Sequence, residues 1–251
     1  MNWVNPRTER SLLNYLKVYN LIQHQMITYI FGLPIYVGSF TDPTEVIKEF
    51  ELCKNNKKID IPADETGELG GGLEEDEGTL FDLRNYKEYT TYINSEIENH
   101  TRLFLKELNI QNIDLTINIC RNINCEYTCA DYWFNVYGKG DQALDHWHLS
   151  DYDHERFCQS NEVMFAFNYF AKYDKDTHAG LYFVNPSPIH AVYEMIDDVV
   201  PAFKRSVKLE INEGQIVIFP SSLVHYVERH QVDDERITLS GNLFKVVDGK
   251  K

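Results

Sequence analysis

The first half of the chain alternates between helical and extended hydrophobic patterns. Apolar residues such as Leu12, Leu16 and Tyr19 recur at helical spacing, and Pro43 suits the first turn of a later helix. A glycine-rich stretch followed by acidic residues lacks the lysine and hydroxyl residue of a phosphate-binding loop, so we expect a mobile acidic loop at 57–80. The predicted elements are helices over 7–24, 41–54 and 82–108 and a strand over 27–38 that is interrupted at Gly32-Leu33-Pro34.

The pattern changes to short apolar runs after residue 112. Turn residues separate these runs at close spacing, which is typical of a β-sandwich or barrel. The predicted strands are 113–121, 131–138, 143–149, 162–172, 180–184, 205–211, 215–219, 224–229 and 236–246. Helices come first and strands second, so the predicted fold class is α+β. We expect a support region of helices and a strand over 1–112 and a β core over 113–251, packed as one compact domain.

Composition narrows the range of partners and locations. The net charge of −15 repels phosphate backbones and anionic lipid surfaces, so neither nucleic acid nor a membrane is an expected partner. The five cysteines are odd in number and loosely spaced, which fits free thiols better than a disulfide framework. The polar start of the chain, with Pro6, lacks the apolar core of a signal peptide. These features predict a cytoplasmic protein and leave its oligomeric state open.

One segment carries two histidines at a spacing that suits a metal ion. His146 and His148 are separated by one residue in a predicted strand. Alternate side chains of a strand share one face, so both imidazoles can reach the same ion. The His-x-His motif alone is weak evidence, because many such pairs have no metal role.

A second segment adds a third histidine and a cation. His225 opens a predicted strand after an apolar run, and Arg236 follows in an alternating apolar strand. An unpaired guanidinium is costly to bury there, and its planar fork suits a carboxylate. The carboxylate can belong to a bound ligand, or to Asp233 or Asp234 at the mouth of the barrel.

These elements together resemble the iron(II)/2-oxoglutarate-dependent oxygenases of the prolyl 4-hydroxylase-like branch. They are similar in particular to a subgroup of small oxygenases found in bacteria and phages. The resemblance covers roughly residues 113–246 and implies a double-stranded β-helix, or jelly roll, as the core. The matching motifs are Tyr137-x-x-Gly140, His146-x-His148, Phe219-Pro220-Ser221 after a glycine-led strand, His225-x-Val227 and Arg236-x-Thr238.

The resemblance also implies a role for each matching residue. His146 and His225 would ligate iron(II), and Arg236 with Thr238 would hold the distal carboxylate of 2-oxoglutarate. Tyr169 matches a family position that hydrogen-bonds this carboxylate, and core packing is the alternative role for it. The residues that would line the rest of the cosubstrate pocket are Tyr137 and Asn135.

The sequence departs from the family pattern at the third metal ligand. The usual site combines two histidines with one carboxylate, whereas His148 stands at the carboxylate position here. His148 can itself ligate the metal, as the small-oxygenase subgroup implies, and would give a neutral three-histidine site. Asp151 in the following turn is the alternative carboxylate ligand, while Asp145 points to the other side of the strand.

The function implied by the resemblance is that of an enzyme. It would be a dioxygenase that uses iron(II), 2-oxoglutarate and molecular oxygen to hydroxylate a small molecule or a peptide, with release of succinate and carbon dioxide. Two alternatives stay open: a three-histidine metal dioxygenase that does not use 2-oxoglutarate, and a non-enzymatic jelly-roll binding module. The aromatic residues expected to keep the site dry are Trp133, Phe165, Phe167 and Phe183.

Overall fold

Antiparallel strands make up most of the structure, a computed structural model that describes residues 26–55, 79–82, 91–110, 115–116, 119–120, 129–130, 132–148, 163–187 and 204–245. The helices are α1 (Pro43–Asn55) and α2 (Thr91–Glu107). The strands are β1 (Met26–Ile30), β2 (Leu33–Ser39), β3 (Thr79–Asp82), β4 (Leu115–Thr116), β5 (Ile119–Cys120), β6 (Cys129–Ala130), β7 (Tyr132–Tyr137), β8 (Ala143–His146), β9 (Val163–Lys172), β10 (Leu181–Val184), β11 (Ser206–Lys208), β12 (Gln215–Pro220), β13 (His225–Val227) and β14 (Arg236–Lys245). In these ranges neither helix is long and apolar enough to cross a membrane.

The strands form two main sheets. The larger has eight strands in the order β1-β2-β12-β9-β14-β7-β3, with β4 paired to β14. The smaller has the order β11-β10-β13-β8, and β5 pairs separately with β6. The architecture is therefore a mostly antiparallel β-sandwich with two helices. β1, β2 and β3 belong to the larger sheet, so the segment predicted as a support region contributes strands to the core itself.

The larger sheet is buried on both faces, and alternate side chains of its strands point to one face or the other. Phe167 of β9 and Leu239 of β14 belong to a cluster with side chains of α1 and α2, so the helices cover the outer face. Phe170 of β9 belongs to a second cluster that includes Phe183 of the smaller sheet. The inner face is thus enclosed between the two sheets, because successive side chains of a strand point to opposite sides.

The predicted interrupted strand is a hairpin. Phe31 and Gly32 have φ angles of 54° and 80°, and they connect Ile30 to its register partner Leu33. Two residues with positive φ are the signature of a tight hairpin turn whose twist matches the flanking strands. Leu33, expected to interrupt the strand, instead begins β2.

One predicted helix is confirmed, a second begins later than predicted, and a third lies outside the described residues. The helix expected over 41–54 is confirmed as α1, and the Asp42 carboxylate accepts the Thr44 N–H at 3.1 Å, as a helix cap does. The helix expected from residue 82 is wrong at its start, because Asp82 pairs with Trp133 in β3 and α2 begins at Thr91. The predicted helix over 7–24 and residues 57–78 of the predicted loop lie outside the described residues.

A buried histidine joins α2 to the end of β2. His100 Nδ1 lies 2.8 Å from the Tyr36 hydroxyl, and its Nε2 lies 3.1 Å from the Ser39 carbonyl oxygen. The Glu96 carboxylate accepts hydrogen bonds from the backbone N–H and the hydroxyl of Thr41. These bonds satisfy polar groups that burial would otherwise penalise, and they hold the helix against the outer face.

Candidate active site

Three histidines meet at the edge of the smaller sheet. His146 ends β8 and lies opposite His225, the first residue of β13. His148 follows just beyond the strand, where its backbone N–H donates to the Ser221 carbonyl at 3.0 Å. The possible ligand atoms of the three side chains all lie within 4.8 Å of one another. The structure therefore brings together the three residues that the sequence predicts as metal ligands.

Hydrogen bonds orient two of these imidazoles. His146 Nδ1 donates to the Leu144 carbonyl at 2.7 Å, and His225 Nδ1 donates to the Leu223 carbonyl at 2.9 Å. A carbonyl oxygen only accepts, so each Nδ1 carries the proton and each Nε2 keeps a lone pair for a metal. His225 Nε2 lies 3.3 Å from His148 Nε2. Two nitrogens about 2.1 Å from one ion and roughly at right angles would be about 3.0 Å apart, so the spacing suits a shared metal.

Burial keeps the three imidazoles neutral. Desolvation, followed by the proximity of His146, lowers the pKa of His148 to about 3. Desolvation also lowers the pKa of His225 well below its ordinary value, with smaller contributions from His146 and His148. The pKa of His146 is lowered by burial as well. Neutral imidazole is the form that ligates metals, so no proton has to leave before an ion binds.

Aromatic rings surround the histidines. The Trp133 ring stacks on His148 at a centroid distance of 6.2 Å, and Phe219 meets His225 edge-on at 4.8 Å. Phe183 lies 6.4 Å from His225. The expectation for Trp133 and Phe183 agrees with their positions. Phe165 and Phe167 were also expected to line the site. This prediction is wrong, because both rings lie on the outer face against the helices.

Arg236 is buried inside an aromatic box on the inner face. It is 1% exposed, and its guanidinium carbon lies 4.8 Å from the ring centre of Tyr137, 5.5 Å from that of Phe170 and 5.8 Å from that of Tyr173. Burial lowers the pKa of Arg236, with Tyr137 and Tyr173 acting in the opposite direction, yet a guanidinium stays charged in proteins. Its Nε and Nη1 have no hydrogen-bond partner among the described residues.

The acidic residues before Arg236 do not neutralise it. Asp233 pairs with Lys139 at 3.2 Å, and Asp234 pairs with Lys172 and with His178. Both carboxylates are largely exposed, at 87% and 61%. The interpretation of Arg236 as a partner of Asp233 or Asp234 is therefore wrong. The buried guanidinium lacks a carboxylate partner among the described residues, and a bound anion would offset the cost of burying its charge.

Polar side chains line the inner face beyond Arg236. Thr238 is buried at 2% exposure and lies opposite Asn135 in register. The Asn135 side-chain Nδ2 donates to the Ser240 hydroxyl at 2.7 Å, and that hydroxyl donates to the side-chain Oδ1 of Asn168 at 2.5 Å. Asn242, further along β14, acts to raise the pKa of His148, against the larger effect of burial. The alternate positions of β14 thus lead from the buried cation to the histidines.

Tyr169 lies away from this pocket. Its ring stacks on Phe40 at 4.1 Å in the outer cluster. A bulge between Ile237 and Thr238 shifts the register with β9, and Phe170 is the residue beside Arg236. Phe170 and Tyr173 were not predicted as site residues, although the polar Asn168 indicates which alternate positions of β9 face inward. Another predicted ligand, Asp151, lies outside the described residues.

A protein-family model matches the segment that contains His225 and Arg236. Residues 160–242 match the model of a family described as "Putative 2OG-Fe(II) oxygenase". The matched segment contains His225 and Arg236, while His146 and His148 precede it. No protein of curated function matches the sequence.

Solved structures share the fold at low sequence identity. The non-heme alpha ketoglutarate dependent carbocyclase SnoK from nogalamycin biosynthesis is 15% identical, with a TM-score of 0.50 over 90% of this chain and 81% of its own. AviO1 from Streptomyces viridochromogenes Tue57 is 9% identical, with a TM-score of 0.50 over 86% of this chain and 91% of its own. A Pseudomonas putida prolyl-4-hydroxylase is 15% identical, with a TM-score of 0.46 over 84% and 92%.

The family match and the site define the class of protein. The chain carries a 2OG-Fe(II) oxygenase domain and is a 2-oxoglutarate-dependent dioxygenase, with iron and 2-oxoglutarate as its cofactors. The resemblance to the iron(II)/2-oxoglutarate-dependent oxygenases is thereby confirmed. Enzymes of this class act on an organic substrate and consume molecular oxygen.

Proposed function

We propose that His146, His148 and His225 hold iron(II) and that 2-oxoglutarate lies between them and Arg236. The fully buried Arg236 guanidinium, whose Nε and Nη1 have no hydrogen-bond partner among the described residues, is the observation that carries this proposal. A buried cation without a counter-charge is costly, and a carboxylate is the partner that its free N–H groups fit. The terminal carboxylate of 2-oxoglutarate would supply that charge.

The donor set supports iron at the histidine cluster. Three neutral imidazoles converge there, two with Nδ1 held by carbonyl oxygens and Nε2 turned to the centre. Imidazole suits iron(II), and three ligands on one side leave positions open for cosubstrate and oxygen. We assign the third ligand to His148 rather than Asp151, because the His148 Nε2 already lies beside that of His225.

The remaining pocket residues receive supporting roles. Thr238 lies two positions from Arg236 on the inner face and would assist it in holding the carboxylate. The Tyr137 phenol hydrogen-bonds the guanidinium and covers one side of it, and Asn135 lies opposite Thr238. The position of Tyr169 on the outer face supports a packing role for that residue instead.

The reaction we propose is hydroxylation of a small molecule or a peptide. Bound iron(II) and 2-oxoglutarate would supply the oxidation of a C–H bond, with release of succinate and carbon dioxide. The protein's own contribution is to orient the cosubstrate through Arg236 and to exclude water with Trp133, Phe183 and Phe219.

The fold that we propose for the core is a double-stranded β-helix over residues 113–251. The sandwich of two antiparallel sheets supports it, as does the similarity to SnoK and AviO1. We further propose that residues 1–112 and this core form one domain, since β1, β2 and β3 extend the larger sheet. The loosely spaced cysteines support a cytoplasmic location.

Calorimetric titration under anaerobic conditions tests the proposed function. We expect the wild-type protein to bind 2-oxoglutarate tightly only when iron(II) is present. His225→Ala should lose metal and cosubstrate, whereas Arg236→Met should keep the metal and lose the cosubstrate. Arg205→Met, which removes an exposed guanidinium, is the matched control. Iron binding without any effect of 2-oxoglutarate would favour the three-histidine dioxygenase, and the failure of both to bind would favour the binding module.

A further inference from the structure

Three turns meet at the end of the sandwich where Arg236 begins β14. They are the turn between β7 and β8, the turn between β9 and β10, and the loop between β13 and β14. The backbone of His230, in the last of these, donates to the Asp141 carbonyl and accepts from the Gly140 N–H, both at 2.8 Å. The loop that leads into Arg236 is therefore tied to the first turn through its backbone.

The His230 side chain ties the same loop to the second turn. The ring is fully buried. Its Nδ1 accepts the Ala179 N–H at 3.2 Å, so in the neutral ring the proton resides on Nε2. Nε2 donates to the Asp234 carbonyl oxygen at 2.6 Å. Both nitrogens are thereby occupied in fixing backbone, and neither faces the metal centre.

His178, in the second turn, contacts the same loop through the side chain of Asp234. It is buried at 4% exposure, and its Nδ1 accepts the Asp174 N–H at 3.2 Å. Its Nε2 lies 3.3 Å from Oδ2 of Asp234, to which the N–H can donate. The rings of His178 and His230 pack edge-on at 5.1 Å. Asp234 is thus held by one histidine through its backbone and by the other through its side chain.

The histidine pair reaches the guanidinium by two routes. Asp234 precedes Arg236 by two residues, so fixing its backbone fixes the start of β14. The Tyr173 ring packs edge-on against His178 at 6.0 Å and forms one wall of the aromatic box, 5.8 Å from the Arg236 guanidinium carbon. The same two histidines therefore constrain both the cation and part of its enclosure.

We infer that His178 and His230 are positioning residues that hold Arg236 ready for the anionic cosubstrate. The inference rests on the proposed function of Arg236. A guanidinium already fixed in its binding geometry loses less conformational freedom when a carboxylate binds. When the loop is released, only a fraction of molecules presents the competent geometry, and the apparent affinity falls by that fraction.

Two adjacent aspartates provide a matched pair of variants. Asp233 and Asp234 are both exposed, and each pairs with a lysine, but only Asp234 contacts His178. Removal of either negative charge near Arg236 would by itself favour an incoming anion. We expect Asp234→Ala to weaken 2-oxoglutarate binding about tenfold instead, with iron(II) affinity within about twofold of wild type, and Asp233→Ala to bind at least as tightly as wild type.

Further variants separate positioning from general destabilisation. His178→Ala should weaken binding at least as much as Asp234→Ala, because it also removes the ring that packs against Tyr173. The double variant should add little to His178→Ala, because the Asp234 contact is already lost. His178→Gln keeps an N–H donor near the position of Nε2 and should recover most of the affinity. Lys172→Met removes only the ion pair of Asp234 and should retain wild-type affinity.

The results of these experiments distinguish the positioning role of the two histidines from the proposed binding of 2-oxoglutarate by Arg236. Equal effects of Asp233→Ala and Asp234→Ala, or a Lys172→Met variant as weak as Asp234→Ala, would overturn the positioning role while Arg236 keeps its own. If Arg236→Met binds 2-oxoglutarate as well as wild type does, the proposed function fails and the inference falls with it. If His178→Ala does not fold, exposed Asp234 still provides the test.

Discussion

The Nε2 atoms of His148 and His225 lie 3.3 Å apart, and their rings are parallel to within 2°. His225 donates from Nδ1 to the Leu223 carbonyl, so its Nε2 is unprotonated and can accept. A neutral His148 that carries its proton on Nε2 can therefore donate to His225. To ligate an ion through Nε2, the same neutral ring would carry its proton on Nδ1 instead.

The first prediction concerns the third ligand. His148→Ala should lower the affinity for iron(II) by more than about 100-fold, because one of three ligands is lost. Asp151→Ala should change it by less than about threefold. Metal content after equilibrium dialysis, measured anaerobically for both variants, checks this. The reverse pattern would assign the third ligand to Asp151.

The second prediction is that the Arg236 guanidinium, which would bind the cosubstrate, lowers the stability of the protein without cosubstrate. Arg236→Met keeps much of the side-chain volume and removes a buried, unpaired charge, so the free energy of unfolding should rise by about 1–3 kcal/mol. Urea denaturation without cosubstrate measures this change. A clear loss of stability would show that a carboxylate of the folded protein already neutralises the guanidinium and would contradict the anion-site interpretation.

The third prediction uses a buried carboxyl far from the site. Desolvation, with a smaller contribution from Glu45, raises the pKa of Glu49 to about 8, and its Oε2 has no hydrogen-bond partner among the described residues. The folded state therefore binds this proton more tightly than the unfolded state does. The resulting stability is present below about pH 4.5 and is lost as the pH rises through about 8.

Glu49→Gln should remove that dependence. At pH 8 we expect the variant to be more stable than wild type by about 1–3 kcal/mol, with a smaller difference at pH 5. Chemical denaturation at the two pH values gives the comparison. Glu51→Gln, an exposed position on the same helix, is the control and should follow the wild-type profile. A difference that is the same at both pH values would contradict the raised pKa.

The fourth prediction addresses the polar row on the inner face. Ser240→Ala removes the hydroxyl that links Asn135 to Asn168 and leaves a donor and an acceptor unsatisfied. The free energy of unfolding should fall by about 1–3 kcal/mol. Ser222→Ala at an exposed position should have little effect. Equal stability of both variants would show that the row is hydrated rather than internally bonded.

Most of the candidate site could be predicted from the sequence, because its chemistry depends on residue type and on short spacings along the chain. His146 and His148 could be paired by strand parity alone, and the cost of burying Arg236 pointed to an anion. Tyr169 could not be placed this way. The bulge between Ile237 and Thr238 decides which residue of β9 faces Arg236, and a bulge arises from cross-strand pairing that one strand's pattern does not contain.

Long-range pairing also limited the prediction of the fold. Residue 82 fits the helical spacing that follows it, yet β3 is fixed by hydrogen bonds to β7, fifty residues further along the chain. The hairpin of β1 and β2 was partly visible through Gly32, but the second positive-φ residue is Phe31, an aromatic residue that carries no turn signal of its own.

A structure of the protein with manganese(II) and 2-oxoglutarate bound anaerobically would test the proposed metal and cosubstrate sites together. We expect one anomalous peak within about 2.0–2.4 Å of a nitrogen of each of His146, His148 and His225, and a cosubstrate carboxylate paired with the guanidinium of Arg236. A metal held without His148, or a cosubstrate whose carboxylates both lie away from Arg236, would contradict it.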